Sequence, residues 1–135
     1  MDFFSALRVS ASGMAAERER VNMASSNLAN AETTRTAEGG PYRRLDPVFE
    51  SVVLDEAQGA TGVEVAEVRQ GSAEGRPVYL PGHPDADQHG FVRMPDVSAV
   101  HEVVNLLSAQ RGYEANASAV ETTKTMAQRA LDIIR

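Results

Sequence analysis

Apolar residues recur at three- and four-residue intervals near both ends of this 135-residue chain, and the middle does not share that period. In the first segment Phe4, Leu7, Ala11, Met14, Val21 and Leu28 follow the helical spacing. Arg18 and Ser25 interrupt the seam, Ala24 and Ala31 widen it, and Arg8, Ser12, Glu19 and Ser26 fall on the opposite face. The pattern predicts an amphipathic helix over Phe4–Ala31, roughly 40 Å long at 1.5 Å per residue. Thr33, Thr34, Gly39, Gly40 and Pro41 are the signals that end it.

At the other end, Pro95-Asp96 is a start signal, with Asp96 expected to cap the helix that follows. Val97, Val100, Val104 and Leu107 form one seam; Tyr113, Asn116, Val120, Thr123, Ala127, Ala130 and Ile134 form another. A helix over Val97–Ile134 would run roughly 57 Å. The seam shifts beside Gly112, a residue that costs about 1 kcal/mol against alanine inside a helix. That glycine marks either a gentle bend or the close approach of another backbone.

Between the helices, residues 35–47 read as a loop. Val48–Leu54 and Gly62–Gln70 read as strands, the second alternating through Val63, Val65 and, after a one-residue slip, Val68. Asp55–Thr61 fits a hairpin loop, and Arg76–Leu80 and Gly90–Met94 are shorter strand candidates. The expected middle is a small β element: a hairpin with an added strand. So few strands are marginal in water without a neighbour to rest on.

Composition sharpens this picture. Tryptophan is absent, aromatics are 5% of the chain, and alanine is abundant in both helical segments. A compact core built from such residues is thin, whereas alanine-faced helices can approach closely and pack along their length. Phe3, Phe4 and Leu7 at one end and Leu131, Ile133 and Ile134 at the other need covering, which points to assembly with other copies or partners.

The formal charge of -6, with no basic stripe, argues against a binder of nucleic-acid phosphates. Arg43 and Arg44 are the one notable basic pair, read as a solvated turn. Cysteine is absent, so there is no disulfide framework. No run approaches the ~20 apolar residues of a membrane-spanning helix. The start of the chain does not read as a secretory signal either, because Asp2 stands in place of a basic region and charges follow from Arg8 to Arg20.

Candidate chemistry is sparse. His83, Asp85, Asp87 and His89 alternate in a turn-rich stretch and include good metal ligands, but the spacing matches no metal motif. Pro81, Pro84 and the aspartates fit a rigid turn. No serine sits in a nucleophile elbow, Gly39-Gly40 lacks the partners of a phosphate loop, and His101 reads as a solvent-facing or interface residue. Neither a catalytic residue nor a cofactor is implied. Asn27 and Asn30, three apart beside the seam, have two readings. They are a polar helix end, with Asn30 helping to terminate the helix, or a register lock hydrogen-bonded across a helix–helix interface.

The stretch Ser25-Ser26-Asn27-Leu28-Ala29-Asn30 resembles the N-terminal signature of the bacterial flagellar rod, hook and hook-associated axial proteins. Ala31-Glu32-Thr33-Thr34, Gly40-Pro41-Tyr42-Arg43-Arg44, Pro81 through Asp87, Gly90-Phe91-Val92 and Pro95-Asp96-Val97 resemble the proximal-rod branch of that family. So do Ala109 through Asn116 and Lys124-Thr125-Met126. Gly112 stands where serine is expected in many members, and Asp96 where asparagine is expected.

The resemblance implies a mainly α fold with a small β middle. Helices at 1–34 and 96–135 would pair as an antiparallel coiled coil bracketing a β-hairpin and loop region at 35–95. It implies a structural subunit of the flagellar basal body, exported by the type III apparatus without a cleaved signal and polymerised helically into the periplasmic rod. The implied partners are other copies, the rod proteins FlgB, FlgF and FlgG, and the adaptor FliE. Leu7, Met14, Val21, Leu28, Val104, Leu107, Val120, Ala127 and Ile134 are then expected to pack helices within and between subunits. Asn27, Asn30 and Asn116 are expected to set register, and the turn with His83, Pro84, Asp85 and Asp87 to touch adjacent subunits from outside. The rival readings are another rod subunit, a soluble coiled-coil adaptor for one helical partner, or a metal-dependent enzyme resting on the 83–89 turn.

Overall fold

The computed structural model describes residues 2–134, with the side chain of Ile134 outside that description. Two long helices flank a small antiparallel β region. Helix α1 spans Phe3–Ala29. It starts one residue before the apolar period because Asp2 caps it: its carboxylate accepts from Ser5 N at 2.7 Å and its carbonyl from Ala6 N at 3.1 Å. The bond from Ser5 holds the Asp2 carboxyl below the usual carboxylate range. At its far end α1 stops at Ala29, two residues short of expectation. Asn30 takes the C-cap position, and its Nδ2 donates back to Ser26 O at 2.9 Å.

Strands β1 (Leu45–Asp55) and β2 (Ala60–Gln70) form an antiparallel hairpin. Gly59, at φ +62°, supplies the left-handed residue of its loop. Strand β1 starts earlier than its valines and runs through Pro47. In a two-stranded sheet every strand is an edge, so a proline with no N–H is tolerated. Val48 pairs with Glu67 and Phe49 with Val65, leaving Ala66 as the extra residue of a bulge. That bulge is the slip in the valine alternation.

Strands β3 (Arg76–Tyr79) and β4 (Phe91–Met94) make a second antiparallel pair. The expected hairpin with an added strand is thus two separate two-stranded sheets. In the turn after β3, Gly90 at φ +83° lies where a Cβ would stand 2.9 Å from the Tyr79 ring. Helix α2 spans Ala99–Ile134. Asp96 does not cap it. Pro95 and Val97 are buried and hold the chain extended up to Ser98, whose carbonyl accepts from Glu102 N at 3.0 Å and whose Oγ lies 3.4 Å from His101 N.

Helix α1 packs against α2 and carries the β1–β2 hairpin on its flank. Ser12 joins helix to hairpin, its Oγ accepting from Val63 N at 3.1 Å while donating to Val9 O. The β3–β4 ribbon is tied instead to the segment after α1, through Thr34 Oγ1 to Asp85 at 2.8 Å and Arg35 to Asp85 at 2.7 Å. The fully buried apolar residues are small: Ala16, Ala24, Ala60, Val92, Val97 and Ala109. The chain exposes 9115 Å². A compact monomer of this mass exposes about 6,900 Å² by the usual scaling. Roughly a quarter of the exposed surface is thus in excess of what a self-contained domain would leave in water.

Candidate functional site

A buried polar cluster lies where the end of α1, the start of β1 and the start of α2 converge. The side-chain amide of Asn27, 1% exposed, accepts from Leu45 N at 2.8 Å and donates to Leu45 O at 2.8 Å. It also accepts from the Tyr42 hydroxyl at 3.1 Å and faces Glu102 Oε2 at 3.3 Å. Glu102, also 1% exposed, receives Arg44 Nε at 2.6 Å, and Arg44 pairs with Asp46 as well. Each residue satisfies another: the amide replaces a neighbouring strand for Leu45, and the guanidinium neutralises the buried Glu102 carboxylate.

The electrostatics follow from this packing. Burial pushes the Tyr42 phenol up, and the nearby Glu102 carboxylate pushes it further. For Arg44, burial alone would weaken the charged form. The bond to Glu102 and the attraction of Glu102 and Asp46 outweigh it and raise its pKa overall.

Farther along, the two helices exchange side chains over glycines. A Cβ on Gly13 would stand 2.8 Å from Asn116 Oδ1, and one on Gly112 would stand 2.6 Å from Glu17 Oε1. Gly112 thus marks a close approach, by the Glu17 side chain rather than by a backbone. Asn116 Nδ2 meanwhile donates to Gly112 O at 2.9 Å.

Leu7, Met14, Val21 and Leu28 are all half-buried on α1, and Val120 and Ala127 are half-buried on α2. Leu7, Val120 and Ala127 line one apolar groove with Phe3, Phe4 and Leu131. Val104 and Leu107 are exposed, at 58% and 52%, together with Val100 at 76%. The face of α2 turned to α1 carries Glu102, Asn105, Ala109 and Gly112 there instead. Val100, Val104 and Leu107 of the expected first seam therefore point away from α1, because the buried polar cluster occupies the inner positions, whereas Val97 is buried ahead of the helix. Ile134 falls outside the described side chains.

Asn27 enters the polar cluster, Asn116 lies over Gly13, and Asn30 bonds only within its own helix end, where it also accepts from Thr33. In the 83–89 turn, Asp87 Oδ1 accepts from His89 N at 2.8 Å and Phe91 N at 2.9 Å, and His83 Nδ1 accepts from Asp85 N at 3.1 Å. The Phe91 N–H, then that of His89, holds the Asp87 carboxyl below the usual range despite an opposing desolvation. Pro84 sits exposed at the tip. His83 and Asp87 thus hold the shape of the turn, while the Asp85 carboxylate ties it to Thr34 and Arg35.

Two family models match the chain. One, described as "Flagella basal body rod protein", matches residues 7–35; the other, "Flagellar basal body rod FlgEFG protein C-terminal", matches residues 88–133. Flagellar basal-body rod protein FlgC of Aquifex aeolicus is 42% identical, covering 98% of this chain and 97% of the relative. The FlgC protein of Salmonella typhimurium is 42% identical over 93% of this chain and 92% of the relative, and that of Bacillus subtilis 38% over 98% and 99%. The chain belongs to the FlgC family of flagellar basal-body rod proteins.

Within this FlgC-family chain, sequence reasoning missed Tyr42, Arg44 and Glu102. Arg43 is the solvated member of the basic pair, its Nε donating to Gly71 O at 2.9 Å. Arg44 is drawn inward by Glu102, so the reading of both as a solvated turn holds only for Arg43. No signal in the sequence singled them out, because Glu102 lies off the period of Val97, Val100, Val104 and Leu107. Gly112, a departure from the serine expected in many members, stands against Glu17.

Proposed function

We propose that this chain is a structural subunit of the flagellar rod that polymerises helically into the drive shaft crossing the periplasm. The observation that carries the reading is the unpaid surface: about 2,000 Å² more than a compact monomer of this mass exposes, much of it apolar on the two helices. Val100, Val104, Leu107, Leu131 and Ile133 on α2 and Phe3 and Phe4 on α1 are among its apolar members. A surface of this kind fits a subunit whose fold is completed by its neighbours.

In this reading α1 and α2 are an antiparallel coiled coil. The order of their contacts supports it: Gly13 meets Asn116, Glu17 meets Gly112, Arg20 meets Asn105 and Asn27 meets Glu102, so the numbering falls on one helix as it rises on the other. Glycines and alanines at the crossing points bring the axes close and stiffen the pair, which suits torque transmission and a wall around an export channel. Leu7, Met14, Val21, Leu28, Val120 and Ala127 pack within the pair, and Val104 and Leu107 pack between subunits. The 83–89 turn and the hairpin face the outside. Other copies, FlgB, FlgF, FlgG and FliE are the neighbours, reached by flagellar export without a cleaved signal. Among the described residues no helix is long and apolar enough to cross a membrane.

Cryo-electron microscopy of basal bodies carrying this chain tests the reading. Density for the paired helices in the rod wall, with Val104 and Leu107 against a neighbour, is the expected result. A discrete soluble complex with one helical partner, and no chain in the rod, would instead favour the adaptor.

A further inference from the structure

Strand β1 has a free edge whose two halves differ. Val63 N donates to Ser12 Oγ on α1, so that N–H stands outside the β1–β2 ladder. Ser51 lies opposite Val63, and in such a pair both residues turn their main-chain groups away from the partner strand. By the two-residue alternation of a strand, Leu45, Pro47, Phe49 and Val53 turn theirs the same way as Ser51. The first half of that edge is closed: Asn27 answers both groups of Leu45, and Pro47 has no N–H. The outer edge of β2 is blunted by Ser12 and by the bulge at Ala66. From Phe49 to Val53 the β1 edge is open. Phe49, Ser51 and Val53 are all exposed, and among the described residues no main-chain group of another element bonds theirs.

From this geometry we infer that the open edge takes an extended, basic segment of a different protein as a third strand of the hairpin. The edge offers alternating donors and acceptors, which an incoming strand answers with its own main chain. Charge decides what kind of strand. Residues 45–70 carry Asp46, Glu50, Asp55, Glu56, Glu64 and Glu67 against Arg69 alone, a net -5 of the chain's -6. Glu50 and Glu64 stand directly opposite each other in the register, an arrangement that costs stability in a hairpin left to itself. A lysine or arginine beside Glu50 on the added strand relieves that repulsion. A second copy of β1 would bring another Glu50 to the same face, and the rest of the chain is close to neutral, so the acidic edge selects against self-pairing. The edge is open in the single chain, so the inference goes beyond the rod reading and does not depend on it.

Amide hydrogen exchange in the full chain, followed by NMR, tests this with a synthetic peptide that alternates lysine with valine and threonine. The peptide should slow exchange at Phe49, Ser51 and Val53 and leave Glu50 and Val52, which face β2, unchanged. The same peptide with glutamate for lysine should have no effect. Glu50→Lys should weaken binding of the lysine peptide by roughly fivefold. Ser51→Pro removes one outward donor at an edge position of the same kind as Pro47, so it should melt close to the wild type and lose the response to the peptide. Absence of slowing with the lysine peptide overturns the proposal, as does equal slowing by the glutamate peptide. Slowing that grows with chain concentration in the absence of peptide would assign the edge to a second copy and overturn it too. Each of these failures leaves the rod reading standing.

Discussion

Asn27 and Leu45 pair as two neighbouring strands would, with the amide of one side chain answering both main-chain groups of the other residue. Asn27→Ala strips Leu45 of both partners and Tyr42 of its acceptor at once. Each buried polar group left unsatisfied costs about 1–3 kcal/mol, some of it regained by water at the rim. The expected loss is about 2–4 kcal/mol, read as a lower urea midpoint with little change in slope. Asn27→Asp should fare no better, because the replacement cannot donate to Leu45 O and brings a second carboxylate to Glu102.

That pairing also shows where sequence reading succeeds and stops. The helices and the strands stood in the hydrophobic period, since each element buries one face against the rest. The bulge at Ala66 was visible as a slip because a bulge shifts the alternation by one residue. The polar cluster was not visible. Asn27, Tyr42, Arg44 and Glu102 are scattered along the chain, and each alone has an ordinary surface reading. Only the meeting of three segments makes them a unit. The same cluster makes the inner face of α2 Glu102, Asn105 and Ala109 rather than the nearby valines.

Arg44 and Glu102 form the ionic half of the cluster. Glu102→Ala leaves a guanidinium with a fifth of its side chain exposed and no interior partner. Breaking a fully buried pair costs about 3–5 kcal/mol, and the partial exposure of Arg44 places the expected loss near the lower bound. Arg44→Lys should not restore stability, because a lysine cannot reproduce the bonds to both Glu102 and Asp46 in one fork. Chemical denaturation of the three proteins side by side checks the order: wild type most stable, then Arg44→Lys, then Glu102→Ala.

Gly112 and Glu17 should be energetically coupled. Alanine at 112 improves helix propensity by about 1 kcal/mol but brings a Cβ to 2.6 Å from Glu17 Oε1. The carboxylate is the far end of a flexible side chain, so it moves aside at modest cost. Gly112→Ala alone should therefore be close to neutral. In a Glu17→Ala background the same change should stabilise by about 1 kcal/mol. A double-mutant cycle giving a coupling below about 0.5 kcal/mol would show that the contact carries no weight.

Val104 and Leu28 separate folding from assembly. Val104 is exposed on the face of α2 turned away from α1, so Val104→Asp should alter monomer stability by no more than about 0.5 kcal/mol. Assembly in sedimentation and motility should nevertheless be lost, since the new charge would be buried between subunits. Leu28 is half-buried beside the polar cluster, so Leu28→Asp should lower the melting temperature of the isolated chain as well. Thermal melts by circular dichroism, run beside sedimentation, distinguish the two.

Tyr42 makes the cluster sensitive to alkali. Its phenol is raised above the ordinary value of 10.0 by burial and by Glu102, so the folded state holds that proton more tightly than the unfolded chain does. The associated stabilisation is complete below about pH 10 and is lost as the pH rises through the raised folded value. Loss of the proton also removes the hydroxyl's bond to Asn27 Oδ1 and places a second negative charge near Glu102. Stability measured by denaturant between pH 8 and about 11 should fall in the wild type over the upper part of that range. Tyr42→Phe should begin less stable, by about 1 kcal/mol for the lost hydrogen bond, and show a flatter profile. A Tyr42→Phe profile as steep as that of the wild type would assign the alkaline loss to other groups.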